Sequence, residues 1–366
     1  MMRGLTRRLA QAELKRLQQE GTGWWGGVWR PLHHCSALVY REHSASVAAV
    51  RLEHLPLPAL SKHSVRVKML AAPINPADLN MVQGTYPILC PLPAVGGNEG
   101  LGEVVEVGSD VMAMRPGDWV VPMDAGFGTW RTEVVCEETD LISVPKDISV
   151  LGAATIAVNP CTAYRMLHDF QALTPGSTVI QNGANSAVGQ AVIQIAASLD
   201  LRTINLIRDR PNCGELVKEL KALGADYVIT EEEVTSSGLH HVFQEVPKPK
   251  LGLNCVGGVS GSLVLSHLDY GGTLVTYGGM AKRPLQIPAK SLIFKNITLQ
   301  GFWMTQWKRN HRQDKACLKS MLDSVYELAR SGQLRPPNCI QTPFPLYTQA
   351  LQATAQRHQR KHVLIM

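Results

Sequence analysis

The spacing of apolar positions changes character near residue 155. Before that point the apolar residues come in short, turn-bounded runs. "SVRVKML", "GLGEVVEVG", "DWVVPM" and "WRTEVVC" are rich in β-branched residues and predict strands. "RPGD" at 115–118 is a turn by construction, since Pro116 fixes φ and Gly117 relieves the next position. From about Ser36 the chain therefore predicts a partly closed β-domain of short strands. Beyond residue 155 strands and helices alternate. "STVIQN" reads as a strand. "VGQAVIQIAASL" follows with Val188, Ala191, Val192, Ile195, Ala196 and Leu199 at helical spacing. "TINLI", the helix "ELVKELKALGA" with its Leu216, Leu220 and Leu223 stripe, "DYVIT", "LGLNCV" and "TLVTYG" continue the alternation. Such alternation implies a parallel doubly wound sheet. After "ITLQGFW" come helix-like "KACLKSMLDSVYELARSG" and "YTQALQATAQ", then a last apolar strand, "HVLIM". No internal repeat or low-complexity tract interrupts this order.

Composition narrows the class. A chain of 366 residues is long for one core and points to two domains. With 45% hydrophobic and 18% charged residues it reads as globular. No uninterrupted apolar run reaches the ~18 residues of a membrane span. The formal charge of +6 owes part of its excess to the first thirty residues, and no basic stripe with interleaved aromatics suggests a nucleic-acid partner. The eight cysteines form no C-x-x-C pair and no Cys–His metal spacing, so they read as buried, reduced thiols. The amino-terminal stretch sets Arg3, Arg7, Arg8, Lys15, Arg16 and Arg30 against only Glu13 and Glu20. Leu5, Leu9, Leu14 and Leu17 line one possible helix face. This basic amphipathic start is the signature of a mitochondrial presequence, expected over residues 1–35.

Candidate chemistry gathers at three places. "VIQNGANSAVGQ" sets Asn185, Ser186, Ala187 and Val188 between a strand and a helix, where backbone N–H groups can meet a pyrophosphate. Gly189 lets the helix approach the strand. Ser186 stands where G-x-G-x-x-G has its middle glycine, so the loop alone is a weak fingerprint. The second strand ends in "LIRDR". Arg208 and Arg210 there suit the additional phosphate of NADPH, with Asp209 between them. "TYGGM" supplies Tyr277, Gly278, Gly279 and Met280 beside a planar ring. The third place is "NMVQGTYPILCPLPAVGGNEGLGEVVEVG", which sets Tyr86 in a turn-rich loop. Taken alone, Tyr86 is either a reactive phenol or an aromatic that fills the loop.

The "PGDWV" turn, "AATIAVNPCTAYRML", "GANSAVG" and "LGADYVI" resemble the medium-chain dehydrogenase/reductase superfamily. More narrowly, "AAPINPADLNMVQGTYP", "LPAVGGNEG", "NPCTAYRML", "RDRP", "VTYGGMA" and "GFWMTQW" are similar to the mitochondrial trans-2-enoyl-thioester reductases. That resemblance implies an α/β fold: a GroES-like β-rich catalytic domain from residues 36–163 and 302–366, with a Rossmann doubly wound domain at 164–301 inserted. It implies no metal, because Pro73 to Asp78 and "GGNEG" stand where zinc relatives carry their ligands. It implies Tyr86 as the catalytic acid. It carries cofactor contacts onto Asn159, Asn185, Ser186, Ala187, Val188, Arg208, Asp209, Arg210, Tyr277, Gly278, Gly279, Met280, Phe302, Trp303, Met304, Thr305 and Lys361. The expected activity is NADPH-dependent reduction of enoyl-CoA or enoyl-acyl-carrier-protein in the mitochondrial matrix, by a homodimer. An NADPH quinone oxidoreductase and a non-catalytic NADPH-binding protein are the alternatives on the same scaffold. Two stretches depart from the family: "YREHSASVAAVRLEH" lacks the usual Gly/Pro turn, and "QRHQRKHVLIM" is an unusual ending.

Overall fold

Strands β1 (His34–Tyr40) and β2 (Val50–Pro56) open the fold as an antiparallel pair, in register from His34 opposite Pro56 to Tyr40 opposite Val50. The structure, a computed structural model, describes residues 33–211, 213–356 and 360–366. The expected leader at 1–35 falls outside these residues except at its end. There His34 and Cys35 already belong to β1, and Cys35 is buried, so a boundary at 35 would cut into the sheet.

The chain continues with β3 (Ser64–Pro73), α1 (Pro76–Val82), β4 (Ala94–Val95), β5 (Leu101–Val107), β6 (Trp119–Pro122), β7 (Glu133–Glu137) and β8 (Leu141–Val144). Helices α2 (Val150–Ile156) and α3 (Asn159–Asp169) follow. β3 is the hub of a seven-stranded sheet, pairing with β5, β7 and the carboxy-terminal strand. Register shifts at Arg66/Val67 and Met69/Ala71 bend it, which is how one strand serves three partners.

The next segment builds a separate sheet. It contains β9 (Thr178–Asn182), α4 (Ala187–Ser198), β10 (Arg202–Ile207), α5 (Cys213–Ala222), β11 (Tyr227–Thr230), α6 (Glu231–Ser237), β12 (Leu251–Asn254), α7 (Gly258–Ser266), β13 (Thr273–Thr276), α8 (Ala289–Ile293) and β14 (Thr298–Gly301). Every pairing is parallel, in the order β11-β10-β9-β12-β13-β14. The direction of strand order reverses between β9 and β12, the position where doubly wound sheets bind dinucleotides. β9 is buried along its whole length, as a central parallel strand must be.

Helices α9 (Met304–Asn310), α10 (Lys315–Arg330) and α11 (Tyr347–Ala355) then lead back to the first sheet. Strands β15 (Cys339–Pro343) and β16 (Lys361–Ile365) join it, with β16 antiparallel to β3. The segment that makes the six-stranded sheet is thus inserted between the two that make the seven-stranded one. One core cluster draws on both, from Ala71, Leu101 and Val121 to Val179, Leu251 and Val275, with Met166, Ile195 and Val325 of the helices between. The expected division at 163/164 falls inside α3. The apolar pattern marks no helix between "ITLQGFW" and "KACLKSMLDSVYELARSG", and the structure has one there, from Met304 to Asn310. All eight cysteines are free thiols; Cys35, Cys161 and Cys255 are buried and the others half-buried.

Gly189 shows how tightly α4 meets β9's turn. A Cβ there would stand 2.5 Å from the Ala184 carbonyl oxygen and 2.7 Å from its carbon, both backbone atoms that cannot swing aside. Gly189→Ala should therefore lower stability by roughly 1–3 kcal/mol. Denaturant titration of both proteins checks this, and an unchanged midpoint would show that the helix can lift without loss.

Candidate functional site

The site is built from two short stretches that flank β4 and β5. Helix α1 starts at Asn75 because Pro76 occupies its first turn and the Asp78 carboxylate accepts from the Asn75 N–H at 2.7 Å. The other Asp78 oxygen accepts from Asn98 twice, from its backbone N–H at 3.0 Å and its side-chain amide at 2.6 Å. Asn98 in turn accepts from the Gly126 N–H at 2.6 Å. Asp78 thereby ties α1 to the "GGNEG" turn and, through it, to the loop after β6. Burial raises its pKa from 3.8 to about 7, against the Asn75 N–H bond and the nearby Lys361 charge, which both lower it.

Glu99 is buried as well. It accepts from the Asn75 amide at 2.9 Å and from the Val158 N–H at 3.0 Å, where α2 passes into α3. The Asn75 side-chain oxygen receives the Lys361 ammonium and, at 3.4 Å, the Asn159 amide. Asn75 is the node at which α1, α3, β16 and the "GGNEG" turn meet. Above it lies a cleft lined by Asn75, Tyr86, Glu99, Asp124, Met304 and Lys308 among others.

Tyr86 stands in the turn closing α1, fixed by the Gly84 N–H to Met81 and the Thr85 N–H to Asn80. Its phenolic oxygen accepts from the Trp303 indole N–H at 2.9 Å, and the two rings meet edge to face at 5.9 Å and 86°. Trp303 sits where β14 gives way to α9. Burial raises the Tyr86 pKa above that of an ordinary phenol; Trp303 opposes this, Asp78 adds to it and Arg309 opposes it. The hydroxyl is protonated at neutral pH. Since its oxygen already accepts from Trp303, its own hydrogen is left to donate into the cleft.

The sheet reversal is equally ordered. Asn182 at the end of β9 donates to Asn254 at 2.8 Å and to Ser260 at 3.0 Å, and accepts from the Cys255 N–H at 2.8 Å. The Ser186 hydroxyl caps α4 by accepting from the Gly189 N–H at 3.1 Å. Asn185, Ala187 and Val188 are half-buried around it. Arg208 and Arg210 follow β10, Arg208 exposed, and neither ion-pairs among the described residues. The Asp209 carboxylate is occupied with the Arg210 N–H at 2.9 Å. At the end of β13 the Tyr277 hydroxyl is buried beside Cys255 and Ser186. Gly279 beside it is exposed, with open space where a Cβ would project; Gly278 is half-buried and Met280 exposed. Phe302 packs edge to face on Phe170 at 5.7 Å. These features fit a dinucleotide: a capped helix start, an open glycine turn and, among the described residues, cations after β10 that form no ion pair.

Two family models match the chain, alcohol dehydrogenase GroES-like domain over residues 61–146 and zinc-binding dehydrogenase over residues 187–320. Curated mitochondrial enoyl-acyl-carrier-protein reductases are similar over most of their length. That of Xenopus tropicalis is 53% identical over 92% of this chain and 97% of its own. The Homo sapiens protein is 55% identical over 87% of this chain and 85% of its own. The chain belongs to this reductase family. Among solved structures, the mitochondrial 2-enoyl thioester reductase Etr1p/Etr2p heterodimer from Candida tropicalis is 35% identical, covering 92% of this chain and 100% of that one, with a TM-score of 0.83. The Etr1p/NADP/crotonyl-CoA complex covers the same shares at 35% identity and a TM-score of 0.84.

Within this reductase fold, Tyr86, Trp303, Met304 and Thr305 come together at the cleft, and Asn159 and Lys361 meet at Asn75 beneath it. Arg208 to Arg210, Asn185 to Val188 and Tyr277 to Met280 follow strands of the six-stranded sheet instead. Asn75, Asp78, Asn98, Glu99 and Lys308 were not foreseen as parts of the site. Their signal was a polar residue inside an otherwise small or apolar stretch, in "INPAD" and "GGNEG". Among the described residues no group of three or more His, Cys, Asp or Glu is placed to hold a metal ion.

The buried Asp78 makes a testable contribution. Its folded pKa of about 7 exceeds the unfolded value, so its protonation favours the fold below the unfolded pKa, and that stability is lost as pH rises through about 7. Wild type should lose unfolding free energy between about pH 4 and 7 relative to Asp78→Asn, measured by denaturant titration at several pH values. Parallel pH curves for the two proteins would contradict the assignment.

Proposed function

We propose that the chain reduces trans-2-enoyl thioesters, borne on CoA or an acyl carrier protein, to saturated acyl thioesters with NADPH, in the mitochondrial matrix as a step of fatty-acid synthesis. The observation that carries this reading is the Tyr86 hydroxyl, protonated, fixed by Trp303 and free to donate into the cleft. NADPH, when bound, supplies the hydride that C3 of the enoyl group receives. Negative charge then develops on the thioester oxygen. Tyr86 neutralises that charge and delivers its proton to C2, so hydride and proton together saturate the double bond. Solvent at the cleft restores the phenol.

Binding divides among the other residues. Asn185 to Val188 offer backbone N–H groups to the pyrophosphate at the start of α4. Arg208 and Arg210 grip the adenosine-ribose phosphate, with Asp209 held back by its own backbone contact. Tyr277 to Met280 and Phe302 to Thr305 flank the nicotinamide. Asn159 and Lys361 serve through Asn75 at the cleft floor. The catalytic domain is residues 36–163 and 302–366, the cofactor domain 164–301, and α3 is the rigid connection across their boundary. The molecule is a homodimer: all four residues of edge strand β14 are exposed, and Ile293 and Phe294 beside it are 68% and 75% exposed.

The deciding assay is NADPH oxidation with crotonyl-CoA. Tyr86→Phe should lower kcat by at least ~100-fold while leaving NADPH binding intact. A loss under about tenfold would remove Tyr86 from this role and favour a quinone oxidoreductase, which needs no donor there. No turnover by wild type would leave only a cofactor-binding protein.

For the cofactor, Arg208→Ala/Arg210→Ala should raise the KM for NADPH by roughly 100-fold and leave NADH kinetics unaltered. Wild-type rates equal with NADH and NADPH would defeat the phosphate assignment.

A further inference from the structure

Lys308 buries its stem and keeps its ammonium at the cleft. The residue is only 8% exposed, and its side chain makes no ion pair and no hydrogen bond among the described residues. Its nitrogen is not itself closed off from solvent, so the methylenes are covered while the charge reaches the cleft without a protein partner. Glu99, the buried carboxylate of the same cleft, is already satisfied by Asn75 and Val158 and lies beyond ion-pair distance. Lys308 lines the cleft that holds Tyr86.

Its position along α9 says what it faces. Trp303, at the start of the helix, holds Tyr86 and marks the reacting tier. Lys308 lies one turn beyond Met304 on the same buried face, about 7.5 Å along the axis from Trp303. The next residue, Arg309, pairs with Asp124 at 3.0 Å; both are 39% exposed, which marks the mouth of the cleft. Lys308 therefore stands between the reacting atoms and solvent.

We propose that Lys308 is a substrate-binding residue whose ammonium donates to an amide carbonyl of the pantetheine arm, the part of the substrate shared by CoA and acyl carrier protein. This rests on the enoyl-thioester reading above. The arm is neutral where it leaves the sulfur, with two methylenes and then an amide. A cation at the cleft wall there finds an acceptor without meeting an opposing charge. The free protein keeps an unpartnered ammonium, and the substrate supplies what is missing. Lys308 is not a reacting group, so its removal alters binding more than turnover.

The test uses thioesters with one enoyl group and different arms: crotonyl-CoA, crotonyl-pantetheine, the N-acetylcysteamine thioester and an amide-free ethyl thioester. Turnover of crotonyl-CoA by wild type tests the underlying reading by itself. Given that, Lys308→Met should raise the KM of the CoA and pantetheine substrates about tenfold, keep kcat within about twofold and leave the amide-free substrate unaffected. The thermal midpoint should be no lower than wild type, since methionine keeps the buried apolar stem and the ammonium it removes has no protein partner. Lys308→Gln, which keeps a donor, should recover part of the lost affinity. An equal loss with every substrate would place Lys308 at the reacting carbonyl and overturn the assignment. Unchanged KM values with every substrate would overturn it as well, and a fall in thermal midpoint would show that Lys308 serves the fold instead.

Discussion

The site depends on one hydrogen bond made across 217 residues of sequence, the Trp303 indole N–H to the Tyr86 oxygen. It does two things at once. It consumes the acceptor side of the phenol, so the phenolic hydrogen can only be offered elsewhere. It also fixes the end of β14, the last strand of one sheet, against the turn closing α1, which hangs from the other. That contact is possible only because the chain leaves the seven-stranded sheet, builds the six-stranded one and returns through β15 and β16. The inserted topology is thus what brings Tyr86, the proposed proton donor, from one layer to the end of β14 in the other.

Beneath the bond lies a floor of ionisable groups, Asp78 and Glu99 buried and Lys361 half-buried. As lone charges the two acids would each be expensive in a low-dielectric interior. Together with Asn75, Asn98 and Asn159 they satisfy nearly every lone pair and proton, which leaves few other arrangements open to the loops that bear them. An exposed pair such as Arg309–Asp124 is worth about 0–1 kcal/mol and positions little. Removing one member of the buried set leaves its partners unsatisfied at about 1–3 kcal/mol each. Rigidity at the site comes from that asymmetry, together with the shared apolar core of α2, α3, α4 and α10.

Much of this was legible in the sequence where local pattern and final structure agree. The strand–helix alternation from "STVIQN" to "TLVTYG" predicts the doubly wound sheet because each element buries its own apolar stripe. The loop Asn185 to Val188 and the Arg208–Arg210 pair are local and lie where expected. Helix α9 was not legible, since "MTQWKRN" follows a strand directly and most of its cleft-facing side is polar. β15 was hidden because "CIQTP" is largely exposed and ends in proline. The floor of the site was legible only in part: Asn159 and Lys361 came with the family resemblance, Asn75 and Glu99 not at all. The four meet only through tertiary contacts, and no periodicity encodes a hydrogen bond between residues that far apart.

A phenol suits the proton-donor role proposed for Tyr86 because of the company it keeps. A carboxylic acid in this cleft would be pulled two ways, and Asp78 shows the result: even completely buried, it titrates near pH 7 and is only partly protonated at neutrality. A donor that is half ionised would stand empty for half of its encounters, and its anion would repel the enolate it is meant to stabilise. A phenol begins near a pKa of about 10. Burial and the adjacent Asp78 charge push Tyr86 further up, so the proton is present whenever substrate arrives. The Trp303 N–H works in the opposite direction, stabilising the phenolate once the proton has left. The same environment therefore holds the proton before the reaction and eases its departure during it, and the two effects act on different protonation states of one oxygen.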